Sequence, residues 1–270
     1  MREFSSAAVR NGRKVGLVPT MGSIHEGHLS VVRETSAHAD VCVASIFVNP
    51  LQFSAGEDYG GYKRDEEGDV EKLSTTGIDA VFLPSADEIY PPGFQTSVEA
   101  SELQKFLCGA SRPGHFKGVA TVVMKLFNIV SPDVAGFGEK DFQQLAIIKR
   151  VVRDLHLDVH IIAVPTVREP SGLAMSSRNE YLSEQERETA VAIPRVLFKM
   201  KRLFESGMRE SAEILKDGGR FLAGEGIVEV DYLEICDPET LIPVEKASEG
   251  SLAAIAARVG KARLIDSIRF

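Results

Sequence analysis

The chain alternates short apolar runs with segments of longer hydrophobic period. Apolar runs occur at residues 15–18 (closed by Pro19), 41–48, 80–83, 134–137 and 159–164. The 41–48 run, VCVASIFV, is apolar nearly throughout, as a strand covered on both faces of a parallel sheet must be. Between the runs the period lengthens to that of a helix. Leu29, Val32 and Ser36 share one face of a helix over 28–38, residues 65–76 are charged and helix-compatible, and residues 119–130 read as a helix that is buried or partly so. Phe142, Leu145, Ile148, Val152 and Leu155 recur at three- and four-residue steps, which predicts an amphipathic helix over 141–155. Strands alternating with helices predict an α/β fold, a Rossmann-like doubly wound parallel sheet.

The pattern changes near Arg178. Ser183 before Glu184-Gln185-Glu186 is a helix N-cap signature, and a long helical stretch follows to about Leu222 with a weak point at Gly207. The tail then alternates from Val228 to Leu233 and carries further strand patterns at 253–257 and 263–268. We therefore expect residues 1–177 to form the larger unit. Residues 178–270 are expected to form a smaller C-terminal α+β domain with antiparallel strands, placed as a lid.

Composition narrows the function classes. With 270 residues, 44% hydrophobic and 26% charged, the chain can bury a substantial core without disulfides or a structural metal. A net charge of −8 with no basic block disfavours a nucleic-acid surface. Cys42, Cys108 and Cys236 are far apart and form no CxxC, which disfavours a disulfide framework and a zinc cluster; Cys42 reads as a core residue. The N-terminus has no signal-peptide pattern and no run approaches a membrane span, so a cytoplasmic location is expected.

Candidate chemistry gathers where strands end. Pro19-Thr20-Met21-Gly22-Ser23-Ile24-His25-Glu26-Gly27-His28 follows the first strand and opens the first helix. Helix N-termini in doubly wound sheets bind phosphate, because their N–H groups are unpaired. His25 and His28, three residues apart, lie on one side of a helical turn and can donate to phosphate oxygens, with Gly27 removing a side chain between them. The alternatives are a surface pair or metal ligation; the latter needs a third ligand, which no HExxH or Cys/His grouping supplies. Gln52 stands just past the second strand, where its amide could hold a carboxylate or hydroxyl, although a Gln there is ordinarily a loop residue. Phe137-Gly138-Glu139-Lys140-Asp141 is another strand-to-helix turn; Lys140 can serve a triphosphate, or the string can be a solvated charged turn. Residues 167–178 form a loop with Pro170 and Gly172, in which Ser176, Ser177 and Arg178 can wrap phosphate. Arg112 and Lys117 add positive charge near a helix start. Asp65, Glu66, Glu67 and Asp69 are candidate metal ligands, or a solvated acidic face.

These strings also carry a resemblance. HxGH after a first strand resembles the HIGH motif of the nucleotidylyltransferase superfamily, and PTMGSIHEGH looks like its version in the pantothenate synthetase family. SIFVNPLQF, RPGHFKGV, FGEKDFQQL and the MSSR string at 175–178 are similar to that family in the same order, and the last resembles the mobile KMSKS-type loop. Two departures are Leu51 for an expected Met, which conserves volume, and Lys63 in place of Pro, which loosens a loop.

The resemblance implies an ATP-dependent ligase joining pantoate to β-alanine through a pantoyl-adenylate, with Mg²⁺, in a homodimer. It implies His28, His25 and Lys140 as catalytic. Met21, Gly22, Ser23, His25, Gly27, His28, Gly138, Glu139, Lys140, Asp141, Val167, Met175, Ser176, Ser177 and Arg178 are implied ATP contacts. Gln52 and Gln144 are implied for pantoate, and Gln52 also for β-alanine; the metal's protein ligands are not implied. Rival readings are another nucleotidylyltransferase of the superfamily and a nucleotide-binding regulatory module. The paired glutamines, rather than an extra basic site, favour a small hydroxy-acid.

Overall fold

The computed structural model describes residues 1–53, 59–227 and 229–270. Val228, where the alternating run of the tail was expected to begin, lies outside them.

Five short strands form a parallel sheet: β1 (Val15–Thr20), β2 (Val41–Ile46), β3 (Ala80–Phe82), β4 (Val134–Gly138) and β5 (His160–Val164). Their order is β3-β2-β1-β4-β5, so the chain winds outward in both directions from β1. All six residues of β2 are buried, as the unbroken apolar run requires. The connections carry α1 (Arg2–Arg10), α2 (Glu26–Ser36), α3 (Glu66–Ser74), α4 (Ala86–Ile89), α5 (Leu107–Ser111), α6 (His115–Val130) and α7 (Phe142–Asp154). The sequence pattern does not announce α1, because its buried residues are the small Ser5 and Ala8.

Two strands differ at a decisive place. β1 does not stop at Pro19 but continues to Thr20, paired with β2 along its whole length. Against β4 it pairs only through Gly16 and Leu17. The carboxyl ends of β1 and β4 therefore part, at the point where the strand order reverses. Such switch points are where open α/β sheets bind ligands.

The helical stretch expected to run from Ser183 to Leu222 is three helices, α8 (Glu184–Ala190), α9 (Ala192–Glu205) and α10 (Ser211–Gly224). Gly207, at φ 104, lies in the turn between the last two. Ser183 caps α8 through the Glu186 N–H, while the Glu186 side chain returns to the Ser183 N–H. Strands β6 (Val230–Cys236), β7 (Leu252–Val259) and β8 (Ala262–Arg269) make an antiparallel sheet with β7 central.

The alternation of side chains gives that sheet two apolar faces. Ala253, Ile255, Ala257 and Val259 join Ile193, Val196, Leu197 and Ile214 of the C-terminal helices in one core. Leu252 and Ala254 face the other way, into the core that also contains Phe116, Phe137 and Phe142 of the parallel-sheet unit. The C-terminal sheet thus closes one wall of the space opened between β1 and β4.

Candidate active site

That space is a cleft of about 280 Å³. Its walls bring together Met21, Gly22, His25, Gly27, His28, Gln52, Gly138, Lys140, Asp141, Gln144, Val167, Met175, Ser176, Ser177 and Arg178, from four separate parts of the chain. Two other expected nucleotide contacts are not among the lining residues. Ser23 is buried behind the turn, its N–H on Asp69 and its hydroxyl directed at the Lys63 carbonyl. Glu139 lies between Gly138 and Lys140 but outside the lining. Lys117 is exposed and also outside it, whereas Arg112 is part of the wall.

The histidine pair is held by an unusual cap. His25 is the N-cap of α2, and its Nδ1 accepts the Gly27 N–H at 3.1 Å. His28 Nδ1 accepts the His25 N–H at 3.3 Å, so the two imidazoles replace the Ser and Glu of a common capping box. The rings lie 4.0 Å apart between centroids. Gly27 is required for this arrangement, because a Cβ there would come within 2.9 Å of the His25 ring. The His25 ring thus occupies part of the space that the missing Gly27 side chain leaves, while Gly27 itself still lines the cleft.

This cap fixes the protonation of both rings. A neutral imidazole accepting at Nδ1 carries its proton on Nε2. Burial lowers the His25 pKa to about 4, with Lys140 adding to the effect. Burial, then the neighbouring His25, lowers His28 to about 3. Both rings are neutral at pH 7 and present Nε2–H donors from the cleft wall.

Facing them across the strand divergence are Lys140 and Asp141, with Lys140 Nζ 3.7 Å from the carboxylate. Desolvation within the cleft works to raise the Asp141 pKa, but the cations of Lys140 and Arg178 outweigh it and hold the carboxylate below the usual range. This part of the site therefore sets the Asp141 carboxylate and the cations Lys140 and Arg178 beside two neutral imidazole donors.

Gln52 is buried, and its amide is already oriented. Its Oε1 accepts from Asn49 Nδ2 at 3.2 Å, and its Nε2 lies 2.7 Å from the Met21 sulfur. Asn49 is itself fixed by the Gly118 carbonyl and the Tyr90 hydroxyl. His115 donates through Nδ1 to the Gln52 carbonyl at 2.7 Å, while its Nε2 faces Arg112 at 3.0 Å. Sequence reading missed Asn49 and His115 as supports. Their signal was their presence in the same strings as Gln52 and Arg112.

The loop at 167–178 is anchored by side-chain hydrogen bonds. Arg168 makes two hydrogen bonds to Asp266 on β8, at 2.6 and 3.0 Å, and the Asp266 side chain is only 1% exposed. Glu169 receives Arg187 at 3.0 and 2.9 Å and Asn179 at 2.8 Å. The loop folds back on itself through Met175 N–H to the Val167 carbonyl. Its anchors thus come from the C-terminal part of the chain. Lys63, which stands where the resemblance led us to expect Pro, reaches Glu180 beside this loop at 2.7 Å, both side chains more than half exposed.

Among the described residues, no three His, Cys, Asp or Glu side chains gather as a metal site. Of the acidic candidates, Asp65 caps α3 through the Gly68 N–H, and Asp69 is buried with both oxygens on backbone amides. The three cysteines are buried and unbridged. No helix of the described residues is long and apolar enough to cross a membrane.

With this geometry established, comparison with known proteins decides the lineage. The pattern of the Pantoate-beta-alanine ligase family matches residues 1–269. The chain belongs to that family. A pantothenate synthetase of Sulfurihydrogenibium sp. is 52% identical over all of this chain and 97% of its own length. One from Thermotoga neapolitana is 52% identical over 99% of this chain and 95% of its own. The crystal structure of pantothenate synthetase from Thermus thermophilus superposes with a TM-score of 0.91 at 47% identity, covering 94% of this chain and 92% of that one. The pantoate-beta-alanine ligase of Francisella tularensis, solved with beta-gamma ATP and beta-alanine, matches with a TM-score of 0.81 at 35% identity, over 99% and 94% of the two chains. The α/β architecture with a small antiparallel C-terminal sheet is thus that of the family.

Proposed function

We propose that this chain condenses (R)-pantoate with β-alanine, using ATP and releasing AMP and pyrophosphate, through a pantoyl-adenylate. Family membership over essentially the full chain supports the reaction. What carries the mechanism is the neutral His25/His28 pair in the cleft wall, each ring capped through Nδ1 so that Nε2–H is left as its donor.

In the first step the pantoate carboxylate attacks the α-phosphate, and the bond to pyrophosphate breaks. His25 and His28 donate to phosphate oxygens, while Lys140 and Arg178 offset the charge on the departing group. In the second step the β-alanine amine attacks the adenylate carbonyl, and AMP leaves with the carbonyl restored. No side chain becomes a covalent intermediate; positioning and electrostatics supply the acceleration. Gln52 and Gln144 hold pantoate, Gln52 also serving β-alanine. Met21, Gly22, Gly27, Gly138, Asp141, Val167, Met175, Ser176 and Ser177 would frame ATP.

Mg²⁺ belongs to the reading as the ion that accompanies the triphosphate. Asp141 is paired with Lys140 and Asp69 is engaged by amides, so phosphate oxygens would be its main ligands. Residues 1–177 act as the nucleotide- and pantoate-binding unit, and 178–270 as the lid. A homodimer in the cytoplasm completes the proposal. AMP release that requires both pantoate and β-alanine is the expected result; release with either alone, or with neither, refutes it.

A further inference from the structure

The turn at residues 21–24 is shaped by α3, which lies some forty residues later in the chain. Asp69 is 1% exposed. One of its oxygens accepts the Ser23 N–H at 2.8 Å and the other accepts the Ile24 N–H at 2.7 Å. From the next turn of the same helix, Lys72 Nζ donates to the Ile24 carbonyl at 2.9 Å. Gly22 and Ser23 both have positive φ, 84° and 50°. A serine persists in that region only where its surroundings hold it there. A Cβ on Gly22 would come within 2.7 Å of Asp69 Oδ2, so glycine and carboxylate fit one another.

Successive backbone N–H groups after a strand form a concavity that binds anions. Here the anion is the protein's own. The Ser23 and Ile24 amides of the turn before α2 are taken up by that carboxylate, so they are not offered to an incoming phosphate, which meets the imidazole donors beyond them. The same grip sets the direction in which the chain enters His25, the N-cap.

We infer that Asp69 is a positioning residue for the His25/His28 pair, acting by filling the amide concavity at Ser23 and Ile24. The inference rests on the proposed role of that pair. Asp69→Asn is the probing variant: it keeps the size but sets a donor against an amide donor.

Two readouts are needed. The first, independent of activity, is the nitrogen–proton spectrum of the imidazoles, which reports the tautomer of each ring. The wild-type chain is expected to show the Nε2–H tautomer at both histidines, and Asp69→Asn to mix tautomers at one or both. The second is pantoate-dependent exchange of pyrophosphate into ATP, expected to fall about 100-fold, as for loss of a preorganised donor. The fall should lie in kcat, with the KM for β-alanine in the full reaction unchanged.

A folded Asp69→Asn chain with wild-type tautomers and wild-type exchange overturns the inference. If that variant does not fold, Lys72→Met removes only the second arm. It should shift the same imidazole signals with a smaller loss of exchange, and unchanged signals overturn the inference. If the wild-type chain itself lacks pantoate-dependent exchange, the proposed reaction fails, while the tautomer comparison still judges Asp69.

Discussion

Residues 19–28 and residues 167–178 face the same cleft but are secured by different means. The first segment is fastened inside one unit, by the capping imidazoles and by α3 through Asp69. The second takes its anchors from the C-terminal part of the chain, through Arg168 on Asp266 and Glu169 on Arg187. A phosphate site with one built-in wall and one borrowed wall separates two jobs. The built-in wall holds chemistry in register; the borrowed wall couples nucleotide contact to the seating of the C-terminal sheet. Damage to the first should lower the rate at any ATP concentration. Damage to the second should cost stability and ATP affinity together.

The largest effect tests the built-in wall. His28→Ala should lower pantoate-dependent pyrophosphate–ATP exchange by about 10²–10³-fold, the usual loss for one preorganised donor, while loss of the capping imidazole costs only about 0.5–2 kcal/mol of stability and leaves the chain folded. Near-normal exchange would remove His28 from the mechanism.

Next comes the borrowed wall. Arg168→Ala strands the Asp266 carboxylate, 1% exposed, without its partner. Breaking a buried pair in this way costs about 3–5 kcal/mol. Denaturant unfolding should register the loss, and the KM for ATP should rise more than kcat falls. A kcat loss with unchanged KM would erase the distinction between the two walls.

A smaller effect follows from the imidazoles. Their folded pKa values, about 4 for His25 and about 3 for His28, lie below the ordinary 6.5. The unfolded chain therefore binds protons that the folded chain refuses, so these groups lower stability as pH falls below 6.5 and have no effect above it. Burial sets most of the window; the charges of Lys140, Asp141, Glu180 and Lys72 around His25, and of His25, Asp141, Lys140 and Lys72 around His28, adjust it. In the ligand-free protein the ring signals should stay flat from about pH 7 to about pH 5, and a midpoint near the ordinary 6.5 breaks the reading. The smallest effect is expected at Lys63. Its pair with Glu180 is exposed and solvent-screened, so Lys63→Ala should leave unfolding and exchange at wild-type values.

Much of this site was legible because its chemistry sits at strand ends that apolar runs announce. The runs at 15–18, 41–48 and 134–137 located β1, β2 and β4, and the strings beyond them carry His25, His28, Gln52 and Lys140. The supports were harder to see. Arg168 and Asp266 lie 98 residues apart, and no local pattern pairs them. Asp69 was hidden in an acidic stretch resembling a solvated face, although it stands four residues before Leu73, which is fully buried, and so shares the inner face of α3. The three helices in place of one long stretch, and the continuation of β1 through Pro19, came from tertiary pairing that periodicity does not encode.

The two-faced C-terminal sheet also has a meaning for the chain as it is made. Leu252 and Ala254 complete a core in which Phe116, Phe137 and Phe142 precede them by more than a hundred residues. During synthesis the parallel-sheet unit emerges first, and its apolar wall stays bare until β7 and β8 have been added. The cleft is thus a late product of translation. For that interval the bare wall is apolar surface of the kind that favours aggregation, a hazard of the growing chain and not of the finished enzyme.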